Sequence, residues 1–262
     1  MTIIATSDLH GNLPDIKEPF DLLCICGDTC PATNHSITYQ SVWCNTILPK
    51  WFNTLPYRNE NSKVIMIWGN HDFIGEDKLV DIHNILNEKT DGRVVVLNHE
   101  MYTWQAEDGT EVKIFGTPYC SLFGPWAFMK DDETLDRLFG QIPEGVDILL
   151  SHDSPNIWKM GAITQGRRKS DTTGNRMLPK HLERIKPRFF FSGHFHSGTH
   201  EFGKREGIWC ANVSFVDENY DPVNPLLKVN VEGGNISHDY IPVDCVSWKD
   251  WKSSNLLTYS HD

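Results

Sequence analysis

Seven side chains with the donor chemistry of divalent-metal ligands recur in short motifs along the chain: Asp8, His10, Asp28, Asn70, His152, His194 and His196. Asp8 and His10, in Ser7-Asp8-Leu9-His10-Gly11-Asn12, are separated by one residue. On an extended segment both side chains therefore point the same way and can share one ion. His194 and His196, in Gly193-His194-Phe195-His196, have the same spacing and can reach either of two neighbouring ions. A carboxylate such as Asp28 has two oxygens and can bridge metals about 3.5 to 4 Å apart. Imidazole, carboxylate and amide oxygen together suit Mn, Fe, Zn or Ni rather than calcium. Each motif alone occurs often by chance. The ordered set D-x-H, G-D, G-N-H, a histidine after a strand, and G-H-x-H carries the signal.

The residues that must position these donors are apolar, β-rich runs: Thr2 to Thr6, Leu22 to Cys26, Lys63 to Trp68, Val146 to Leu150 and Arg188 to Phe191. Each run leads directly into one of the motifs. Several are continuously apolar, as strands covered on both faces are. Further strands are predicted at Val94 to Leu97 and Val112 to Phe115. Between the runs lie stripes at helical spacing, Trp43, Ile47, Leu48 and Trp51, then Leu79, Ile82, Ile85 and Leu86. After Gly193 the pattern is strand-like, over Ile208 to Val213, Leu226 to Val231 and Ile236 to Ile241. The alternation predicts one α/β domain over residues 1–243, with 244–262 a tail of unassigned role that carries Trp248 and Trp251. In open α/β sheets, sites form beyond the carboxyl ends of the strands, so the motifs should converge on one rim.

Composition narrows the function classes. The 262 residues are 39% hydrophobic, with nine Trp and thirteen Phe, which describes a packed globular chain. A formal charge of −11 excludes a protein that coats long nucleic acid, and leaves a small anionic substrate open if bound cations make the site positive. No stretch of about 18 apolar residues exists to span a bilayer, and the N-terminus lacks a signal-peptide pattern, so a cytoplasmic protein without a membrane partner is expected. The seven cysteines do not form a disulfide framework, and Cys24 and Cys26 sit in an apolar run, so reduced, packed thiols are expected.

Taken in order, the five blocks from Asp8 to His196 resemble the calcineurin-like metallophosphoesterase superfamily. The stretches Gln141 to His152, Lys186 to His194, Asn212 to Ser214 and Asn219 to Pro225 look like its metallophosphoesterase-domain-containing (MPPED/UPF0046-like) branch, a likeness that reaches about residue 231. The resemblance implies a four-layer αββα sandwich of two mixed β-sheets flanked by helices. It implies one metal on Asp8, His10, Asp28 and His196, and a second on Asp28, Asn70, His152 and His194. It also implies that His71 contacts the phosphate and protonates the leaving oxygen. Where the family usually has Thr-His-x-Pro-Pro, this chain has Ser151-His152-Asp153-Ser154-Pro155, an extra carboxylate beside a ligand.

The function expected from these residues is hydrolysis of phosphodiesters, cyclic nucleotides or small nucleotide-like esters, by hydroxide formed between two divalent cations, with His71 as general acid. A protein or small-molecule phosphomonoesterase on the same metals is the alternative enzyme, and a metal-containing binding protein without turnover is the alternative class. Asn12, Arg167 and Arg168 are candidate substrate contacts, the arginines because guanidinium binds phosphate bidentately. Asn12 and Asp72 flank ligand motifs and are candidates to orient them. A small phosphate ester is the expected partner, with the chain a monomer or homodimer.

Overall fold

Two six-stranded mixed sheets lie face to face in the computed structural model, which describes residues 1–77, 79–164 and 169–246. In chain order the elements of the first half are β1 (Thr2–Thr6), β2 (Leu13–Pro14), β3 (Leu22–Cys26), α1 (Ile37–Thr46), α2 (Leu48–Phe52), β4 (Lys63–Ile67), α3 (Phe73–Asp77), α4 (Leu79–Lys89), β5 (Val94–Leu97) and β6 (Glu100–Gln105). Then come β7 (Glu111–Thr117), β8 (Cys120–Ser121), β9 (Met129–Lys130), α5 (Asp132–Gly140), β10 (Ile148–Ser151), α6 (Leu178–Ile185) and β11 (Phe189–Ser192). The last are β12 (Gly203–Arg205), β13 (Ile208–Asn212), β14 (Leu226–Glu232), β15 (Asn235–Ile241) and β16 (Cys245–Val246). The first sheet has the order β15-β14-β1-β3-β4-β5 and the second β12-β13-β11-β10-β7-β6.

At the centre of each sheet the strands are parallel. β1, β3, β4 and β5 run together in one, and β7, β10, β11 and β13 in the other. Alternation along each strand divides the core into layers. Ile3, Ala5, Cys24, Cys26, Ile65 and Ile67 face the other sheet and meet Ile148, Leu150, Phe189 and Phe191. Ile4, Leu23, Ile25, Val64 and Met66 face outward under Trp43, Leu48, Phe52, Ile82 and Leu86 of the first helical layer. On the far side Leu149 and Phe190 pack under Leu135 and Phe139 of α5 and Leu178 and Leu182 of α6. The four-layer αββα sandwich is therefore as the sequence led one to expect.

The helical stripe from Trp43 to Trp51 differs from expectation, because it is broken into α1 and α2 at Ile47. Pro49 explains the break: proline fits the first turn of a helix, where its missing N–H costs nothing, and not the interior. Cys245 and Val246 pair with β2, and Asp15 N–H donates to the Asp244 carbonyl at 2.8 Å, so the start of the C-terminal segment lies on the domain. Trp248 and Trp251 lie outside the described residues. Six of the seven cysteines are buried free thiols, Cys24 and Cys26 between the sheets.

Candidate metal centre

Each candidate ligand occupies the turn that leaves a parallel strand: Asp8 and His10 after β1, Asp28 after β3, Asn70 after β4, His152 after β10, His194 and His196 after β11. Parallel strands send all their carboxyl ends the same way, and a bridge between Ser7 and Ser214 closes the two sheets at that end. The turns are tight. Asp8, His10, Asp28 and His194 take the left-handed backbone conformation, with φ of 54°, 46°, 52° and 70°. For residues with a Cβ this costs about 1 kcal/mol or more each, and it persists only where the surroundings enforce it. They do: Asp8 N–H donates to the Gly27 carbonyl and His10 N–H to the Asp28 carbonyl, both at 2.9 Å.

Gly69 shows how closely the turns approach, since a Cβ there would overlap the carboxylate and amide of Asp28. Asp72 ties these turns together. Its buried carboxylate accepts from Cys30 N–H at 2.8 Å, Gly69 N–H at 2.8 Å and Thr29 N–H at 3.2 Å. Burial pushes its pKa up to about 6, the charge of Asp28 adding to the effect.

The side chains converge on one buried cluster. His152 Nδ1 lies 2.9 Å from the Cys26 carbonyl and His196 Nδ1 lies 2.9 Å from the Asp217 carbonyl. A carbonyl only accepts, so the proton of each neutral ring sits on Nδ1 and Nε2 faces inward with its lone pair, as a candidate metal donor does. His152 Nε2 is 2.8 Å from Asn70 Oδ1 and 3.5 Å from Asp28 Oδ2, while His196 Nε2 is 3.4 Å from Asp8 Oδ1. His10 Nε2 is 3.6 Å from Asp28 Oδ2, and both ring nitrogens of this buried residue lack a hydrogen-bond partner. Asp28 Oδ2 thus stands between His10 and His152. Asp8 belongs to both groups of donors that lie within 4.8 Å of one another, with His10 and His196 in one and with Asp28 and His152 in the other.

Lone pairs that face lone pairs need a cation or a proton between them, and these residues fit divalent ions. In the metal-free protein protons do part of that work. For His196, burial is outweighed by Asp8, which accepts from it and holds its pKa at about 9; for His152, burial is outweighed by Asp28 and Asp8, which raise it. For Asp8, burial is outweighed by the hydrogen bond and charge of His196, which hold it below the usual carboxylate range. Burial pushes Asp28 up to about 6. Burial, with the neighbouring imidazoles, holds His10 and His194 well below 6.5. Metal entry would release these protons.

His71 flanks the cluster. Its N–H donates to Asp28 Oδ1 at 2.7 Å, and its ring lies 4.9 Å from that of His10, centroid to centroid. Burial lowers its pKa to about 4, so the ring is neutral in the free protein. Asn12 is buried, and its amide donates to the Leu9 carbonyl at 3.0 Å and the Tyr220 carbonyl at 3.4 Å, joining the turn that carries His10 to the Tyr220 segment. Arg167 and Arg168 lie outside the described residues.

Several neighbours escape the sequence reading. His35 Nε2 is 2.8 Å from His71 Nδ1. Trp126 lies over His71 with centroids 4.4 Å apart, and Tyr220 meets His10 edge-on at 4.6 Å. Ser214 Oγ donates to Asp8 Oδ2 at 2.8 Å. A signal for Trp126 exists in Leu122-Phe123-Gly124-Pro125-Trp126, where Gly-Pro marks a turn and turns lie at the surface. His35 has none, since it stands alone before α1, seven residues past Asp28 and outside every ligand motif.

Comparison with known proteins agrees with this geometry. The family described as Calcineurin-like phosphoesterase matches residues 1–198. Human metallophosphoesterase domain-containing protein 1 is 25% identical over 244 residues, which are 87% of this chain and 70% of that protein. A UPF0046 protein of Caenorhabditis elegans is 24% identical over 217 residues, 72% of this chain and 50% of its own length. The solved structure of TT1561 of Thermus thermophilus superposes with a TM-score of 0.54 at 10% identity, covering 92% of this chain and 99% of that one.

Proposed function

The chain belongs to the calcineurin-like phosphoesterase family, whose members hydrolyse phosphate esters with divalent metals, and from that premise we propose that it is a phosphodiesterase acting on cyclic nucleotides or small nucleotide-like esters. The observation that carries the reading is the buried cluster in which Asp28 stands between His10 and His152 while both ring nitrogens of His10 have no partner. Such a cluster is costly without cations, since each unpaired buried polar group costs about 1–3 kcal/mol.

In this reading Asp8, His10, Asp28 and His196 hold one divalent ion, and Asp28, Asn70, His152 and His194 hold another. When bound, the ions supply positive charge for the phosphate oxygens and acidify a water. Asp28 orients the site twice, through Oδ2 toward the metals and through Oδ1 on the His71 amide. His71 donates to the leaving oxygen. Burial keeps this ring neutral in the free protein. Human metallophosphoesterase domain-containing protein 1 and the UPF0046 protein support the family reading, and the resemblance to their branch is what favours the diester.

The test is hydrolysis of bis(4-nitrophenyl) phosphate against 4-nitrophenyl phosphate, with added Mn²⁺ and with chelator, followed by a panel of cyclic and linear nucleotides. Faster metal-dependent hydrolysis of the diester is expected. A preference for the monoester would assign a phosphatase, and metal binding without turnover of either would assign a binding protein.

A further inference from the structure

A groove of about 910 Å³ opens directly off the candidate metal centre, with His194 in its wall. On the reading that the centre hydrolyses phosphate esters, we propose that this groove is the subsite for the organic group of the substrate, and that the group it takes is a neutral aromatic one. Leu122 and Phe123 form one side, each 62% exposed in a fold that buries most of its other large apolar side chains. The Phe123 ring lies 5.5 Å from that of His194 at an interplanar angle of 32°, so an aromatic wall begins where the metal donors end. The same loop ends in Trp126 over His71. A single segment thus lines both halves of the centre with aromatic rings.

The loop is held rather than loose. Leu122 N–H donates to the Lys130 carbonyl at 3.0 Å and Ala127 N–H to the Asn70 carbonyl at 3.1 Å. Asp153, at the variable position beside His152, is buried and accepts from Ser121 N–H, Ser121 Oγ and Asn175 Nδ2, each at 2.9 Å. It therefore pins both walls of the groove, the Phe123 side and the Gly174 side, against the turn that carries His152. Pre-positioned aromatic surface beside a polar site binds without the cost of ordering it. Among the described residues that line it, the cations Lys169 and Arg176 are matched in number by Asp132 and Glu218. Recognition of the organic group then falls to the apolar wall, which suits a planar, uncharged ring.

The test uses the full chain loaded with Mn²⁺ and two diesters with one leaving group, bis(4-nitrophenyl) phosphate and methyl 4-nitrophenyl phosphate. Phe123→Ala is expected to lower the aryl-to-methyl ratio of kcat/KM roughly tenfold, as loss of one stacking partner does, while Phe123→Trp retains it. Equal effects of Phe123→Ala on both esters would overturn the proposal. Calorimetric binding of phenylphosphonate and methylphosphonate separates it from the hydrolytic reading. About tenfold tighter binding of the phenyl compound to the wild type, lost in Phe123→Ala, is expected whether or not either ester turns over. Equal binding of the two phosphonates to the wild type would refute the subsite, and turnover of neither ester would refute only the phosphoesterase reading.

Discussion

Asp28 is buried with Oδ2 between two imidazoles and Oδ1 on the His71 amide, and burial raises its pKa to about 6. A carboxyl whose folded pKa lies above its unfolded value of 3.8 contributes stability that is full below 3.8 and is lost as pH rises through 6. In chelated protein, Asp28→Asn should therefore raise the melting temperature at pH 7.5 and leave it little changed at pH 4, because the amide keeps the Oδ1 acceptor and carries no charge. With Mn²⁺ the same variant should bind metal more weakly and lose activity by on the order of a hundredfold or more. Retention of both metals and full activity would show that Asp28 does not bridge. His71 makes a different prediction. If it protonates the leaving oxygen, His71→Asn should slow esters of alkyl alcohols by about 10² to 10⁴-fold and 4-nitrophenyl esters far less, since nitrophenolate leaves without a proton. Equal losses on both would assign His71 to phosphate binding alone.

At the scale of elements, α4 is anchored to the centre by a polar contact. The Trp68 indole N–H donates to His83 Nε2 at 2.8 Å, directly before the Gly69-Asn70 turn. This bond needs a neutral imidazole, and burial lowers the pKa of His83 to about 4 from an ordinary 6.5. The contribution is complete above 6.5 and is lost as pH falls from 6.5 through 4, because the unfolded chain takes the proton first. Urea unfolding of the wild type and of His83→Gln should then diverge across that window, the wild type losing on the order of 2 kcal/mol relative to the variant. Parallel pH curves would place the proton linkage elsewhere.

For the molecule as a whole, the decisive arrangement is that two separate sheets send their parallel strands toward one end. Asp8, His10, Asp28 and Asn70 come from the first sheet, and His152, His194 and His196 from the second. A cation held at Asp8, His10 and His196, or at Asp8, Asp28 and His152, would therefore fasten one sheet to the other. Metal that binds the folded chain and not the unfolded one raises stability by about 2.7 kcal/mol at a hundred times its Kd. Added Mn²⁺ should raise the melting temperature with concentration, and chelator should reverse it. A melting temperature indifferent to both would mean that the cluster holds no metal under those conditions. Among the described residues, no helix is long and apolar enough to cross a membrane.

The amino-acid sequence alone singled out the candidate metal donors and the strands that deliver them. Donor chemistry, the one-residue spacing of Asp8 with His10 and of His194 with His196, and the apolar runs before them are all local properties. The core strands were legible for the same reason, because continuous burial writes itself into consecutive residues such as Leu22 to Cys26. Only the tertiary structure decided which groups meet across the sheets. That His35 reaches His71, that Ser214 reaches Asp8 and that Asp153 pins two loops depends on contacts between segments far apart in the chain. The placement of Phe123 was legible only in part: Gly124-Pro125 marks a surface turn, whereas a lone phenylalanine defaults to the core, and the fold alone leaves this ring open beside His194.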